Sequence, residues 1–201
     1  MNISLKFKFV SVISMALLAA CGSTSYHDLD VVNRASTNLN YRDTKAPPVE
    51  TPMNAYLTGY SYWDNTPRGS AQIARPVIHR SAGGIGTYSD PITLAVGHVK
   101  NSGRSIMDYP AGTRFYIKRL RKYAIVEDLC GDGNRPQDGP CHSGHRGHDW
   151  IDIYVGGRWM AEAAVDACMR HITGIQPVIL NPQPGHPVEP GEIASTGCRK
   201  F

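Results

Sequence analysis

The 201-residue sequence predicts a mainly β domain of short strands, with one helix near the C-terminus and a disulfide-stapled tail. Three observations predict it. The 20 glycines and 14 prolines together make up about a sixth of the chain, which favours turn-rich β structure over a helical bundle. Short runs of β-branched and aromatic residues alternate with clusters of Gly, Pro, Asn and Asp. A single stretch, from about Arg158 to His171, carries apolar residues at helical spacing. With 41% hydrophobic and 19% charged residues, the composition excludes a fully disordered chain, a coiled coil and a multi-span membrane protein.

Residues 1–20 have the layout of a bacterial export signal: Lys6 and Lys8 precede the apolar run Phe9 to Ala20. That run ends in Leu17-Leu18-Ala19-Ala20-Cys21, which resembles a lipobox. The resemblance implies cleavage before Cys21 and a diacylglycerol on its thiol. With Gly rather than Asp at position 22, it also implies an outer-membrane lipoprotein on the periplasmic side. Without Lys6 and Lys8, the formal charge falls from +4 to +2, 19 basic against 17 acidic residues. No basic face of the kind nucleic acid requires is visible, so no nucleic-acid partner is expected. Residues 21–53 are polar and without sustained period, and read as a tether. The folded domain is expected over 54–201.

Ala55–Trp63, Ile92–Val96, Thr113–Ile117, Lys122–Val126 and Trp150–Val155 read as strands, with Gln176–Leu180 as one more. Gly83-Gly84-Ile85-Gly86 reads as a loop, without the preceding strand that a nucleotide site needs. Asn181–Pro190, with four prolines, must be irregular. Apart from Cys21, the cysteines are Cys130, Cys141, Cys168 and Cys198. An even number in an exported chain reads as two disulfides. Of three possible pairings, Cys130–Cys141 with Cys168–Cys198 is preferred because it joins sequence neighbours. No two of these cysteines stand two to four apart, which argues against zinc. No metal and no cofactor are expected.

Three segments carry carboxylates that end or interrupt apolar runs: Tyr62-Trp63-Asp64, Asp108 through Glu127-Asp128, and Trp150-Ile151-Asp152-Ile153-Tyr154. A carboxylate there is costly to bury unless it is hydrogen-bonded or functional. Each also has a plainer reading, since an Asp at a strand end is often a turn former. Asp90, Asp132 and Asp138 are read in that way. His142, His145 and His148 recur every third residue in a Gly-rich loop ahead of Asp149, and read as solvated or substrate-contacting side chains. The basic stretch Arg114, Lys118, Arg119, Arg121 and Lys122 reads as a solvated edge.

The pattern from Ala55 to Gly157 resembles the six-stranded double-psi β-barrel superfamily, and within it the three-aspartate domain of the membrane-bound lytic transglycosylase A family. Asp108 before Pro110-Ala111-Gly112-Thr113, Asp128 closing a strand, and Ile151-Asp152-Ile153-Tyr154-Val155-Gly156 match that domain's three positions. Twenty-three residues separate Asp128 from Asp152, more than in that family. The resemblance implies cleavage of peptidoglycan glycan strands, with Asp152 as general acid/base and Asp128 beside it. Tyr62, Trp63, Asp108, His148 and Asp149 are the expected substrate contacts. Tyr62-Trp63-Asp64 and Ile151-Asp152-Ile153 also resemble the two catalytic segments of family forty-five endoglucanases. That resemblance implies inverting hydrolysis, with Asp64 as base and Asp152 as acid. A third reading is a wall-binding module without catalysis, as in expansins.

Overall fold

The computed structural model describes residues 48–201. The export signal, the lipid site at Cys21 and most of the expected tether lie outside the described residues. Strand β1 (Thr51–Tyr60) is followed by β2 (Ile92–Val96), β3 (His98–Asn101), β4 (Arg104–Met107), β5 (Arg114–Ile117) and β6 (Lys122–Leu129). Then come a short helix α1 (Pro140–Ser143), β7 (Trp150–Tyr154), helix α2 (Glu162–Ile172) and β8 (Gly174–Leu180).

Six strands close into a barrel in the order β1-β7-β2-β6-β5-β8. β1 pairs in parallel with β7, and β2 with β6; the other four pairings are antiparallel. This mixed closed barrel is compatible with the double-psi arrangement. Leu57, Leu94, Val96, Phe115, Ile117, Val126, Ile151, Ile153 and Val178 fill its interior at 0% exposure. Strand alternation sends their neighbours outward. Closure leaves no open edge along the six strands.

Four differences from the sequence expectations have local causes. β1 starts at Thr51, ahead of the expected domain start at Asn54, because Thr51 pairs with Leu180. It ends at Tyr60 rather than Trp63, because the Asp64 carboxylate accepts both the Ser61 backbone N–H and its hydroxyl, each at 2.6 Å, and bends the chain. Helix α2 starts at Glu162, not Arg158, since Gly157 has φ 88° and Ala161 is extended. The hairpin β3–β4 was not expected; its turn places Ser102 and Gly103 at φ 48° and 77°.

The disulfides pair as expected, Cys130–Cys141 and Cys168–Cys198, with Cα separations of 5.7 and 5.5 Å. The second ties the C-terminal tail to α2. Lys122 corrects the solvated-edge reading of the basic stretch. It is buried, and its ammonium donates to the carbonyls of Glu189 and Gly191, holding the Pro-rich tail against the barrel. Among the described residues, no helix is long and apolar enough to cross a membrane.

Candidate active site

Register across the barrel wall builds the site. Thr58 of β1 stands beside Asp152 of β7, Asp152 beside Ala95 of β2, and Ala95 beside Asp128 of β6. Ile151 and Ile153 point into the core, so Asp152 faces outward. Asp152 and Asp128 thus flank the small Ala95, two strand spacings or about 10 Å apart at the backbone. A methyl group forms the floor between two carboxylates.

Alternation alone would aim Asp128 inward, because Val126 is inward. The pairing of β2 with β6 slips between Leu94 and Ala95, so that Leu94 opposes Val126 and Ala95 opposes Asp128. Glu127 is the extra residue of a β-bulge, and the bulge turns Asp128 out of the core. Both consecutive carboxylates therefore leave the interior, and both are fully engaged. Glu127 Oε1 accepts the backbone N–H groups of Val77, Ile78 and His79 at 3.1, 2.6 and 2.9 Å. Its Oε2 pairs with His79 Nδ1 at 2.6 Å, and His79 Nε2 pairs with Asp90 at 2.9 Å. Burial raises the Glu127 carboxyl, but the His79 amide and imidazole outweigh it and hold the pKa below the ordinary value.

Asp128 Oδ1 accepts from the backbone N–H groups of Ala74 and Leu129, at 3.0 and 2.9 Å, and Oδ2 from the Tyr60 hydroxyl at 3.1 Å. Burial is the larger influence and leaves its pKa raised. Asp152 Oδ1 accepts from the Thr58 hydroxyl at 2.6 Å, and Thr58 Oγ1 accepts from the Trp150 indole at 2.7 Å. The Cys130 sulfur lies 4.0 Å from Asp152 Oδ2. Burial pushes the Asp152 carboxyl up to about 7; the Thr58 bond lowers it, and the charges of Asp64 and Asp128 raise it further.

Asp64, Asp128 and Asp152 line one cavity of about 370 Å³, together with Tyr60, Ala95 and His98. Asp64 Oδ1 accepts from the Ser61 backbone N–H and hydroxyl, and among the described residues Oδ2 has no hydrogen-bond partner. Asp132, read from sequence as a turn residue, also lines this cavity. Asp108 and Asp149 line a second cavity of about 210 Å³ with Tyr109, His142 and Trp150. There Asp108 pairs with His142 at 2.6 Å, and Tyr109 donates to Asp149. The second cavity borders the first through β7, because Trp150 and Asp152 share a strand face two residues apart.

The remaining sequence candidates lie elsewhere. Tyr62 and Trp63 line neither cavity; Trp63 donates its indole N–H to the Gly157 carbonyl at 3.0 Å, and Tyr62 packs edge-on against it. His148 pairs with His145 across the tight turn at Arg146-Gly147, where His145 stacks on Tyr56 at 4.1 Å. Among the described residues, no three His, Cys, Asp or Glu side chains converge as metal ligands would. Thr58, Tyr60, Ala95 and His98 were not singled out from sequence. Thr58 and Tyr60 sit at alternate positions of an apolar run that already suggested a strand; nothing local marks Ala95 or His98.

A family model described as "DDB_G0273701 N-terminal domain" matches residues 52–199, nearly the whole described chain. The chain belongs to the DDB_G0273701 N-terminal domain family. A Dictyostelium discoideum member, the uncharacterized protein DDB_G0273701/DDB_G0273221, is 41% identical over 81 residues, covering 40% of this chain and 32% of the relative. The matched stretch spans about a third of that relative's length. No solved structure matches. In this member the family domain is the barrel together with α2 and the stapled tail, and both cavities lie within it.

Proposed function

We propose that this domain cleaves β-linked glycan strands, those of peptidoglycan in particular, with Asp152 as general acid/base. One observation carries the reading: a carboxyl held near pH 7 opens onto a polar cavity that two further carboxylates share. A general acid works best when its pKa lies near the working pH. Asp152 would donate its proton to the glycosidic oxygen as the bond to the anomeric carbon breaks. In lytic transglycosylation the sugar's own hydroxyl then closes onto that carbon, and the carboxylate takes the hydroxyl proton. A single carboxyl group suffices. The resemblance to the lytic transglycosylase A domain and the double-psi barrel superfamily supports this order of events.

Asp64 favours a second reading. Asp64 lines the same cavity, and its charge acts on Asp152. Inverting hydrolysis needs a base on the opposite face of the sugar, with room for one water. In that reading Asp64 activates the water and Asp152 remains the acid. For cellular placement we infer an outer-membrane lipoprotein anchored through Cys21, its barrel facing the periplasm.

Incubation of the full chain with purified murein tests these readings together. Anhydro-sugar ends indicate transglycosylation, new reducing ends indicate hydrolysis, and co-sedimentation without products indicates a binding module. Asp152→Asn should lower product formation by about 10²–10⁴-fold, the usual worth of general acid–base catalysis. Asp64→Asn should be as damaging for hydrolysis and mild for transglycosylation.

A further inference from the structure

Beside the main cavity stands a turn that the acid chemistry does not use. Gly157 to Met160 form a β-turn, closed by the Met160 amide on the Gly157 carbonyl at 3.0 Å, with Arg158 and Trp159 at its tip. Two neighbours clamp its base. The Tyr62 amide donates to the Gly156 carbonyl at 3.2 Å, and the Trp63 indole to the Gly157 carbonyl at 3.0 Å. On the other side α2 packs so closely that a Cβ on Gly157 would come within 2.5 Å of the Val165 side chain. The clamping segment Tyr62-Trp63-Asp64 is the one whose Asp64 lines the main cavity. The charges of Asp64 and Arg158 both reach the Tyr154 hydroxyl, which sets the turn at the Asp64 end of that cavity.

Trp159 is 88% exposed, the highest value for a large hydrophobic side chain among the described residues. An indole left in water forgoes a large hydrophobic gain, and here a backbone clamped on both sides leaves it there. The Arg158 guanidinium lies over the rings of both neighbours, 4.7 Å from the Trp159 centroid and 5.4 Å from that of Tyr62. One face of the indole is thus taken and the opposite face is open. Among the described residues no carboxylate pairs with Arg158: Glu162 pairs with Arg68, and Glu192 accepts from the Gly157 amide. An open aromatic face suits the C–H face of a pyranose ring, and an unpaired guanidinium suits a carboxylate. A glycan strand with an acidic stem on every second sugar presents both.

We propose that the Arg158–Trp159 turn is an outer subsite for the glycan strand, Trp159 stacking on a sugar ring beyond the Asp64 end of the cavity and Arg158 pairing with a carboxylate of that sugar's acidic stem. The proposal rests on the glycan-cleaving reading. It adds a preference to that reading: acidic murein strands bind more tightly than neutral β-1,4-linked N-acetylglucosamine of the same length.

Calorimetric titration of the full chain with a soluble murein hexasaccharide carrying its stem peptides tests it, with an N-acetylglucosamine hexamer as the neutral probe. Asp152→Asn in every chain keeps the strands uncut. Trp159→Ala should weaken binding of both probes about tenfold. Arg158→Gln should weaken the murein probe about threefold and leave the neutral one unchanged. Both side chains are exposed, so both variants should melt with the parent chain. If either melts lower, the Trp159 indole N–H resonance of the parent chain decides, since it should move as the murein probe is added. An unmoved resonance, unchanged murein affinity in either variant, or equal loss of both probes in Arg158→Gln would overturn the proposal alone. So would self-association of the parent chain that Trp159→Ala abolishes, because a second copy would then cover the turn. Absence of any binding of either probe would overturn this proposal and the glycan reading together.

Discussion

Asp152 is expected to weaken the fold at the pH where it works. Its carboxyl titrates near 7 in the folded chain against an ordinary 3.8. A group whose folded-state pKa is raised binds its proton more tightly when folded, so its contribution is intact below about pH 4 and is lost as pH rises toward 7. The interval from 3.8 to about 7, at about 1.36 kcal/mol per pH unit, gives about 4 kcal/mol. Opening of the carboxyl onto the cavity lets water offset part of this, so that figure is a ceiling. Asp152→Asn removes the ionisation, while its amide oxygen can still accept from Thr58. The variant should therefore be the more stable chain at pH 8. A gain of about 2 kcal/mol, half the ceiling, raises Tm by about 4–8 °C for a domain of this size. Thermal unfolding of both chains from pH 4 to 8 measures it, since the titrating groups that do not interact with Asp152 cancel in the difference. The gap in Tm should be small at pH 4, widen to about pH 7 and then stay level. A variant no more stable than the wild type at pH 8, or a gap independent of pH, would refute the assignment of a raised pKa to this carboxyl.

Three further outcomes are expected, the first two from the same geometry and the third from the sequence. Ala95→Leu fills the floor between Asp152 and Asp128; it should abolish glycan cleavage while costing about 1–3 kcal/mol of stability, read by melts alongside a murein assay. Replacing Cys130 and Cys141 by alanine should cost about 2–5 kcal/mol in denaturant unfolding. Because the Cys130 sulfur lies 4.0 Å from Asp152 Oδ2, the same change should admit water and bring the Asp152 pKa down from about 7, measurable by NMR titration. Cys21→Ser should move the protein from the membrane fraction to the soluble fraction, and unchanged retention would remove the lipid-anchor proposal.

The barrel strands were legible because β-branched and aromatic runs bounded by Gly and Pro are a local signal. Ile92–Val96 and the start of β7 at Trp150 came directly from that signal. Alternation around Asp152 likewise sufficed to place its side chain opposite Ile151 and Ile153. What the sequence hid was non-local. The bulge at Glu127 exists only through the register of β6 against β2, and without it Asp128 would point into the core. The hairpin β3–β4 lacks an apolar alternation strong enough to announce it, and its Asn101-Ser102-Gly103 turn was the one usable hint. The separation of Asp108 from the other two carboxylates was equally hidden. A family motif fixes spacing along the chain, whereas the second cavity is walled by Trp150 and the loop after α1.

The parallel seam between β1 and β7 governs when the site can exist during synthesis. Thr58 and Asp152, joined by a hydrogen bond, stand 94 residues apart, and Thr51 finds its partner only at Leu180. β1 is made first among the barrel strands and has no hydrogen-bonded neighbour until β7 and β8 follow. Such long-range closure is slow compared with local pairing. A chain halted before Trp150 would leave β1 unpaired and the outer edges of β2 and β5 bare, open to other chains. The same wiring that sets the acid beside its hydroxyl partner therefore makes the nascent barrel dependent on protection until its last strand arrives.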